Sequence, residues 1–575
     1  MFSTSWTASP RVFRAVRERD VKIPVSAGFA LQCDVVRPDA PGRFPVLLSL
    51  APYPIDDQMA QIVPGPMRYH NAHMEAGDPY FYARRGYVHV IGNLRGTGQS
   101  GGEFDHMGPD TIRDVHDAID WCAKLAFGDG KVGMMGMSYY GMIQPLVAML
   151  KPPALKALFC PFSVTDQYRD TYYKGGIFQY DFLKGWSVAL RKARIRATFA
   201  EQIGRERFRA LVEETKRDPE IAATPVAMEI LNGIDDPVNL FLAEMVVNKF
   251  LGAHYLPRNV DYDAGLEVPA YFGACWGIYG LHLPAAFRSF TRWQGPRKVT
   301  IGPPAYLDRP IVQYAWESLR WFDHWLKGND TGLVAEDPVQ LFVERTDEWK
   351  SAREWPLPQT QWMPFYLHHN AMLYERDVWQ DEQPTTFADS PEERGTALFT
   401  TPPFREATEL CGPIVLNLHG STTGTEILWF ASLIELDPDG TEHLLTRGWM
   451  RGSMRRLDPK LSKPWQPVQA DVDREPLEPG KVYEFNIEVR PYAILLKRGQ
   501  RLRLRIRCTD RGDAVPDILH NHAVGLLASP QSTRVSIHHS EDHPSHLLLP
   551  VTKGNRIGTF ASGGMLEPLE NAFHP

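Results

Sequence analysis

The sequence predicts a parallel α/β core, interrupted by a helical insertion and followed by an antiparallel β-sandwich. Three observations carry this reading. In the first third, short apolar runs alternate with helical patterns, as strands joined by crossover helices do. From about Asp166 to His254 helical texture replaces the strand signals. Beyond about residue 340 apolar and polar residues alternate with a period of two, the pattern of sheets with one face buried.

Residues 46–50 and 87–91 are short, leucine-rich or β-branched and bounded by Pro or Gly, as buried strands are. Residues 110–125 read as an amphipathic helix with Ile112, Val115, Ile119 and Cys122 on one face and Asp114, Asp117 and Asp120 largely on the other. A strand over 131–135, a helix over 140–150 and a strand over 155–160 follow. The insertion, 166–254, carries long helical patterns such as 189–211 and almost no strand signal. Strands return at 268–273 and 298–302, and a helix over 312–327 is ended by Gly328. The α/β domain thus comprises 1–165 and 255–340, and the sandwich 345–575.

Composition excludes several functions. The chain has 575 residues, 43% hydrophobic and 23% charged, which argues against disorder. Lys plus Arg at 62 against Asp plus Glu at 69 leaves no cationic surface for nucleic acid or anionic lipid. No apolar run approaches the ~18 residues of a membrane helix. Six cysteines, at 33, 122, 160, 275, 411 and 508, form no close pair, and no secretory signal opens the chain, so a reduced, cytoplasmic protein is expected. The expected partner is a small-molecule substrate, with no nucleic acid, membrane or cofactor, and homo-oligomerisation is left open.

The stretch from Lys131 to Gly141 carries the chemistry. A strand runs into Gly136, Ser138 follows two residues later, and a helix begins behind it, which is the context of a nucleophile elbow. The second glycine is Gly141, one residue later than in the usual Gly-x-Ser-x-Gly, and a serine there also reads as a helix N-cap.

The elbow Gly136-Met-Ser138-Tyr139-Tyr-Gly141 resembles that of the cocaine esterase and Xaa-Pro dipeptidyl-peptidase group of serine hydrolases. Pro52-Tyr53, Phe81 to Tyr87, Leu94 to Gly102, Asp117 to Trp121 and Trp321 to Gly328 match in the same order. The carboxyl-terminal part, with Trp355-Pro-Leu-Pro358 and Gly448-Trp449-Met450-Arg451, is similar to the family's jelly-roll domain more loosely. The resemblance implies an α/β-hydrolase core with a helical cap and a jelly-roll-like sandwich. It also implies Ser138 as nucleophile, with the Tyr139 backbone N–H and the Tyr53 hydroxyl holding the oxyanion. The glycine turn from Arg95 to Gly102 lacks a phosphate-loop fingerprint and is expected to brace the site's mouth.

Two triad positions depart from the family. Ile278 stands where the acid is expected, in Trp276-Gly277-Ile278-Tyr279, and Tyr306 stands where the histidine is expected, after Gly302-Pro303. Neither transfers a proton as an aspartate-oriented histidine does at pH 7. His282 is the nearest substitute base, with Asp308 as a partner for it. Trp276 and Tyr306 are the candidate substrate contacts. Asp323 and His324 read as helix-packing residues. His70, His73 and His106, near Glu75, are other histidine candidates, but no complete metal set is evident. The insertion's Tyr168, Tyr172, Tyr173, Phe178, Tyr180 and Trp186 suit an apolar or aromatic ligand, or ordinary packing. The leading expectation is an ester or amide hydrolase acting through an acyl-enzyme. Non-hydrolytic chemistry (lyase, acyl transfer or cyclisation) and a binding role without catalysis are the alternatives.

Overall fold

The computed structural model describes residues 6–56, 73, 75–303, 314–346, 348–510 and 530–554. A ten-stranded sheet forms the first layer. In spatial order its strands are Ala15–Pro24, Ala30–Pro38, Val88–Asn93, Phe44–Ala51, Gly128–Met135, Leu155–Pro161, Ala270–Cys275, Arg297–Gly302, Val339–Val343 and Glu348–Ala352. The first two pairings and the last are antiparallel, and those between are parallel. Central strands such as Val88–Asn93 are buried along their whole length, as a sheet covered on both faces requires. This is the α/β-hydrolase sheet extended by a hairpin. Because Glu348–Ala352 closes that hairpin, the sandwich strands begin at Gln361–Leu367, later than the border expected at 345.

Helix Pro109–Ala123 covers one face, with proline and Asp110 in its first turn. Asp114 departs from expectation, being buried and receiving two hydrogen bonds from Arg95, at 2.6 and 2.9 Å. The charge pairing offsets the burial that its helical position imposes. Helix Tyr139–Ala148 is buried on every side. Pro145 within it has no N–H for the Gly141 carbonyl, and the Ser163 hydroxyl donates to that oxygen instead, at 3.2 Å.

The cap is helical, but its texture hides two departures. A short hairpin, Tyr173–Lys174 with Ile177–Phe178, follows a π-turn at Gln167–Tyr172. The helix expected over 189–211 is broken, because Gly204 at φ +87° separates Thr198–Ile203 from Arg205–Thr215. Among the described residues the carboxyl-terminal sandwich is an antiparallel network of eleven strands. Its strand Arg501–Arg507 alternates buried leucine and isoleucine with arginines that reach solvent, as its period of two predicts. Among the described residues no helix is long and apolar enough to cross a membrane.

Candidate active site

Ser138 sits between strand Gly128–Met135 and helix Tyr139–Ala148 with φ 55° and ψ −125°, a conformation that costs a non-glycine residue backbone strain. The turn closes only because its flanks are glycine. A Cβ on Gly136, itself at φ +138°, would lie 2.3 Å from the Tyr140 Cβ, and one on Gly141 would lie 2.9 Å from the Pro161 carbonyl. The turn is pinned from outside as well, since Met137 N–H donates to the Glu75 carbonyl at 2.9 Å and Gly136 N–H to that of Phe159 at 3.1 Å. Ser138 is 9% exposed. Tyr139 opens the helix, so its N–H has no acceptor within the helix.

Tyr53 follows the end of strand Phe44–Ala51. Its carbonyl accepts from Asn93 Nδ2 at 2.6 Å, and its hydroxyl oxygen accepts from Trp186 Nε1 at 3.0 Å. Its ring stands edge-on to that of Tyr139 at 6.1 Å. Burial, and next the nearby Glu75 carboxylate, push the phenol well above its ordinary pKa, so it stays a neutral donor. Asn93 is itself held by the glycine turn, whose Ser100 hydroxyl donates to its carbonyl at 2.8 Å. The Arg95 to Gly102 turn therefore braces the segment that carries Tyr53. It also ties down the cap, since Arg194 N–H donates to the Gly96 carbonyl at 2.8 Å.

Aromatic rings surround Tyr139. Trp186 is stacked on it at 6.5 Å, and His106 lies 5.5 Å from Tyr139, 5.2 Å from Trp186 and 5.7 Å from Phe241. Burial in this cage lowers His106 to a pKa of about 3, which makes it a neutral wall element at neutral pH. Sequence reasoning names His106 and Trp186 only as candidates, and Asn93 not at all. An asparagine ending a strand just before a glycine turn is the signal that points to it.

The positions that the resemblance pairs with the remaining triad members, and the substitute base, are placed as follows. Ile278 is wholly buried in the turn Trp276–Ile278, directly after strand Ala270–Cys275. His282 is wholly buried at the start of helix Leu283–Arg292, with its Nδ1 3.2 Å from the Ser163 carbonyl and its ring edge-on to Phe162. A carbonyl only accepts, so Nδ1 carries the proton and Nε2 the lone pair, which is the tautomer a general base needs. Burial lowers its pKa to about 3. No hydrogen bond joins His282 to Ser138 among the described residues. Trp276 has none of its surface exposed; its N–H donates to the Phe342 carbonyl at 2.7 Å and its ring packs against Tyr492. That is a bracing position between strands, in place of the substrate contact expected of it. Tyr306, Asp308 and His70 lie outside the described residues. Asp323 is far from this chemistry in its bonding, accepting from Ser9 and Tyr87 and so tying down the amino-terminal segment. His73 is buried, and among the described residues no group of His, Cys, Asp and Glu has the geometry of a metal site.

Comparison with known proteins places this architecture. The profile of the X-Pro dipeptidyl-peptidase (S15) family matches residues 27–303, and that of the X-Pro dipeptidyl-peptidase C-terminal non-catalytic domain matches 331–548. A cocaine esterase from Rhodococcus sp. is 26% identical, over 93% of this chain and 98% of its own. A putative Xaa-Pro dipeptidyl-peptidase from Bacillus anthracis is 22% identical over 75% of this chain and 70% of its own. The crystal structure of a CocE/NonD family hydrolase from Staphylococcus aureus superimposes with a TM-score of 0.77 at 22% identity, covering 94% of each chain. With both halves matched in order and the whole α/β-hydrolase fold shared, the chain belongs to the X-Pro dipeptidyl-peptidase (S15)-like family.

Proposed function

We propose that the chain is a serine hydrolase that cleaves an ester or amide of a small apolar or aromatic acyl group through an acyl-enzyme on Ser138. The observation that carries this reading is the strained elbow at Ser138, with the helix-start N–H of Tyr139 behind it and the Tyr53 ring 6.1 Å from that of Tyr139. Two donors facing a developing oxyanion stabilise it by a few kcal/mol each in a dry site. Membership in a family whose named members include esterases and Xaa-Pro dipeptidyl-peptidases supports the reaction class. The cage of Tyr139, Trp186, His106 and Phe241 supports an aromatic acyl group. His282 is the proposed base: its tautomer favours the role, while its pKa of about 3 and the lack of a hydrogen bond to Ser138 among the described residues count against it. The test is turnover of p-nitrophenyl benzoate by the wild type and by Ser138→Ala, and equal rates in the two would remove the reading.

A second reading rests on Ile278. A buried isoleucine at the position that the resemblance pairs with the acid would leave no carboxylate there to orient a base. It favours chemistry at the same serine that does not end in hydrolysis, such as acyl transfer, lyase action or cyclisation, or binding without turnover. Acylation of Ser138 by the ester without release of benzoate would favour acyl transfer.

A further inference from the structure

We propose that Trp186, a cap residue, is a positioning residue for the oxyanion hole: its indole N–H, donated at 3.0 Å to the Tyr53 hydroxyl oxygen, sets the direction in which that hydroxyl donates. The inference rests on the reading of Ser138 and Tyr53 given above. A phenol O–H turns about its C–O bond, and an oxygen with no partner donates to whichever acceptor is nearest. An indole N–H on one lone pair directs the phenol proton to the other side and, by polarising the oxygen, makes it a stronger donor. Both ends of Tyr53 are then held, its carbonyl by Asn93 from the core and its hydroxyl by Trp186 from the cap.

The indole is itself fixed in orientation. It lies within 14° of the Tyr139 ring plane and meets His106 and Phe241 at 5.2 and 6.4 Å. Trp186 thus touches the residues of both oxyanion donors, Tyr53 by a hydrogen bond and Tyr139 by its ring. Because it stands on helix Asp181–Ser187, seating of the cap and completion of the oxyanion hole become one event.

The experiment measures kcat and KM for p-nitrophenyl benzoate with the wild type, Ser138→Ala, Tyr53→Phe, Trp186→Phe and the Tyr53→Phe/Trp186→Phe pair. Trp186→Phe keeps an aromatic ring and removes the N–H. It is expected to lower kcat about tenfold, a part of the 10²–10³ that loss of a whole donor costs, with KM changed less than about twofold. In the Tyr53→Phe background it should cost nothing further. An equal loss in both backgrounds, or a change in KM alone, overturns the inference. Ser138→Ala as active as the wild type overturns the site reading, and this inference with it. A readout independent of turnover is the indole N–H resonance of Trp186, assigned by its loss in Trp186→Phe or Trp186→His. It should move upfield in Tyr53→Phe, and an unmoved resonance overturns the hydrogen bond.

Discussion

At Ser138 a positive φ is held against its strain by two glycines and by hydrogen bonds from the turn to Glu75 and Phe159. That much is legible in the sequence, because the steric demand is local: a strand, a glycine, a serine two residues on and a helix leave the chain few other turns. The partners of Tyr53 are not legible in the same way. Asn93 and Trp186 stand 40 and 133 residues away along the chain, and no pattern of spacing joins them. The base is the residue whose placement matters most. If His282 takes the Ser138 proton, His282→Ala should lower kcat as far as Ser138→Ala does, whereas Tyr53→Phe should leave partial activity with a loss of about 10²-fold, because the Tyr139 N–H still acts. Steady-state kinetics on one ester decides this, and a His282→Ala protein with wild-type kcat would assign the proton to another group.

Individual elements follow the sequence where burial is uniform and depart from it where a buried polar group finds a distant partner. Asp114 reads as solvent-facing from helical periodicity and is buried because Arg95 reaches it. The 189–211 pattern reads as one helix and is two, because Gly204 turns left-handed. Strand Val88–Asn93 carries His89 into the sheet core, where its Nε2 lies 3.0 Å from the Ser49 hydroxyl; that hydroxyl donates to Met135, so the imidazole is the donor to it. Burial lowers His89 to a pKa of about 3 from an ordinary 6.5. The unfolded chain therefore binds a proton that the folded one refuses. Stability from this group is fully present above pH 6.5 and is lost as pH falls toward 3. Between pH 7 and 5.5 it costs about 1 kcal/mol. His89→Gln should reduce the acid-induced loss of unfolding free energy by about that amount, measured by urea denaturation at the two pH values; an unchanged loss would show that His89 is not proton-free in the fold.

Across the molecule, the cap is fastened to the sandwich by buried charge. Arg451, 1% exposed, donates to the carboxylates of Glu220 in the cap and Glu426 in the sandwich, and to the Gly176 carbonyl. Arg169 similarly reaches Asp471 at 2.8 Å. Removing a buried charge that serves two carboxylates costs about 3–5 kcal/mol, so Arg451→Leu should lower the unfolding free energy by that order and speed proteolytic cleavage within 166–254. Cleavage at the wild-type rate would mean that the cap is held by other contacts. The division into core, cap and sandwich is legible from texture alone, but these clasps are not, since Arg451–Glu220 and Arg169–Asp471 each join residues more than 200 positions apart. The proposed reaction requires that Ser138 become acylated. The most direct measurement is mass spectrometry of the peptide containing Ser138 after rapid acid quench of the protein with p-nitrophenyl benzoate. A benzoyl group on Ser138, absent from Ser138→Ala, is the predicted result. Release of p-nitrophenol with Ser138 unmodified at every quench time, and at an undiminished rate in Ser138→Ala, would contradict it.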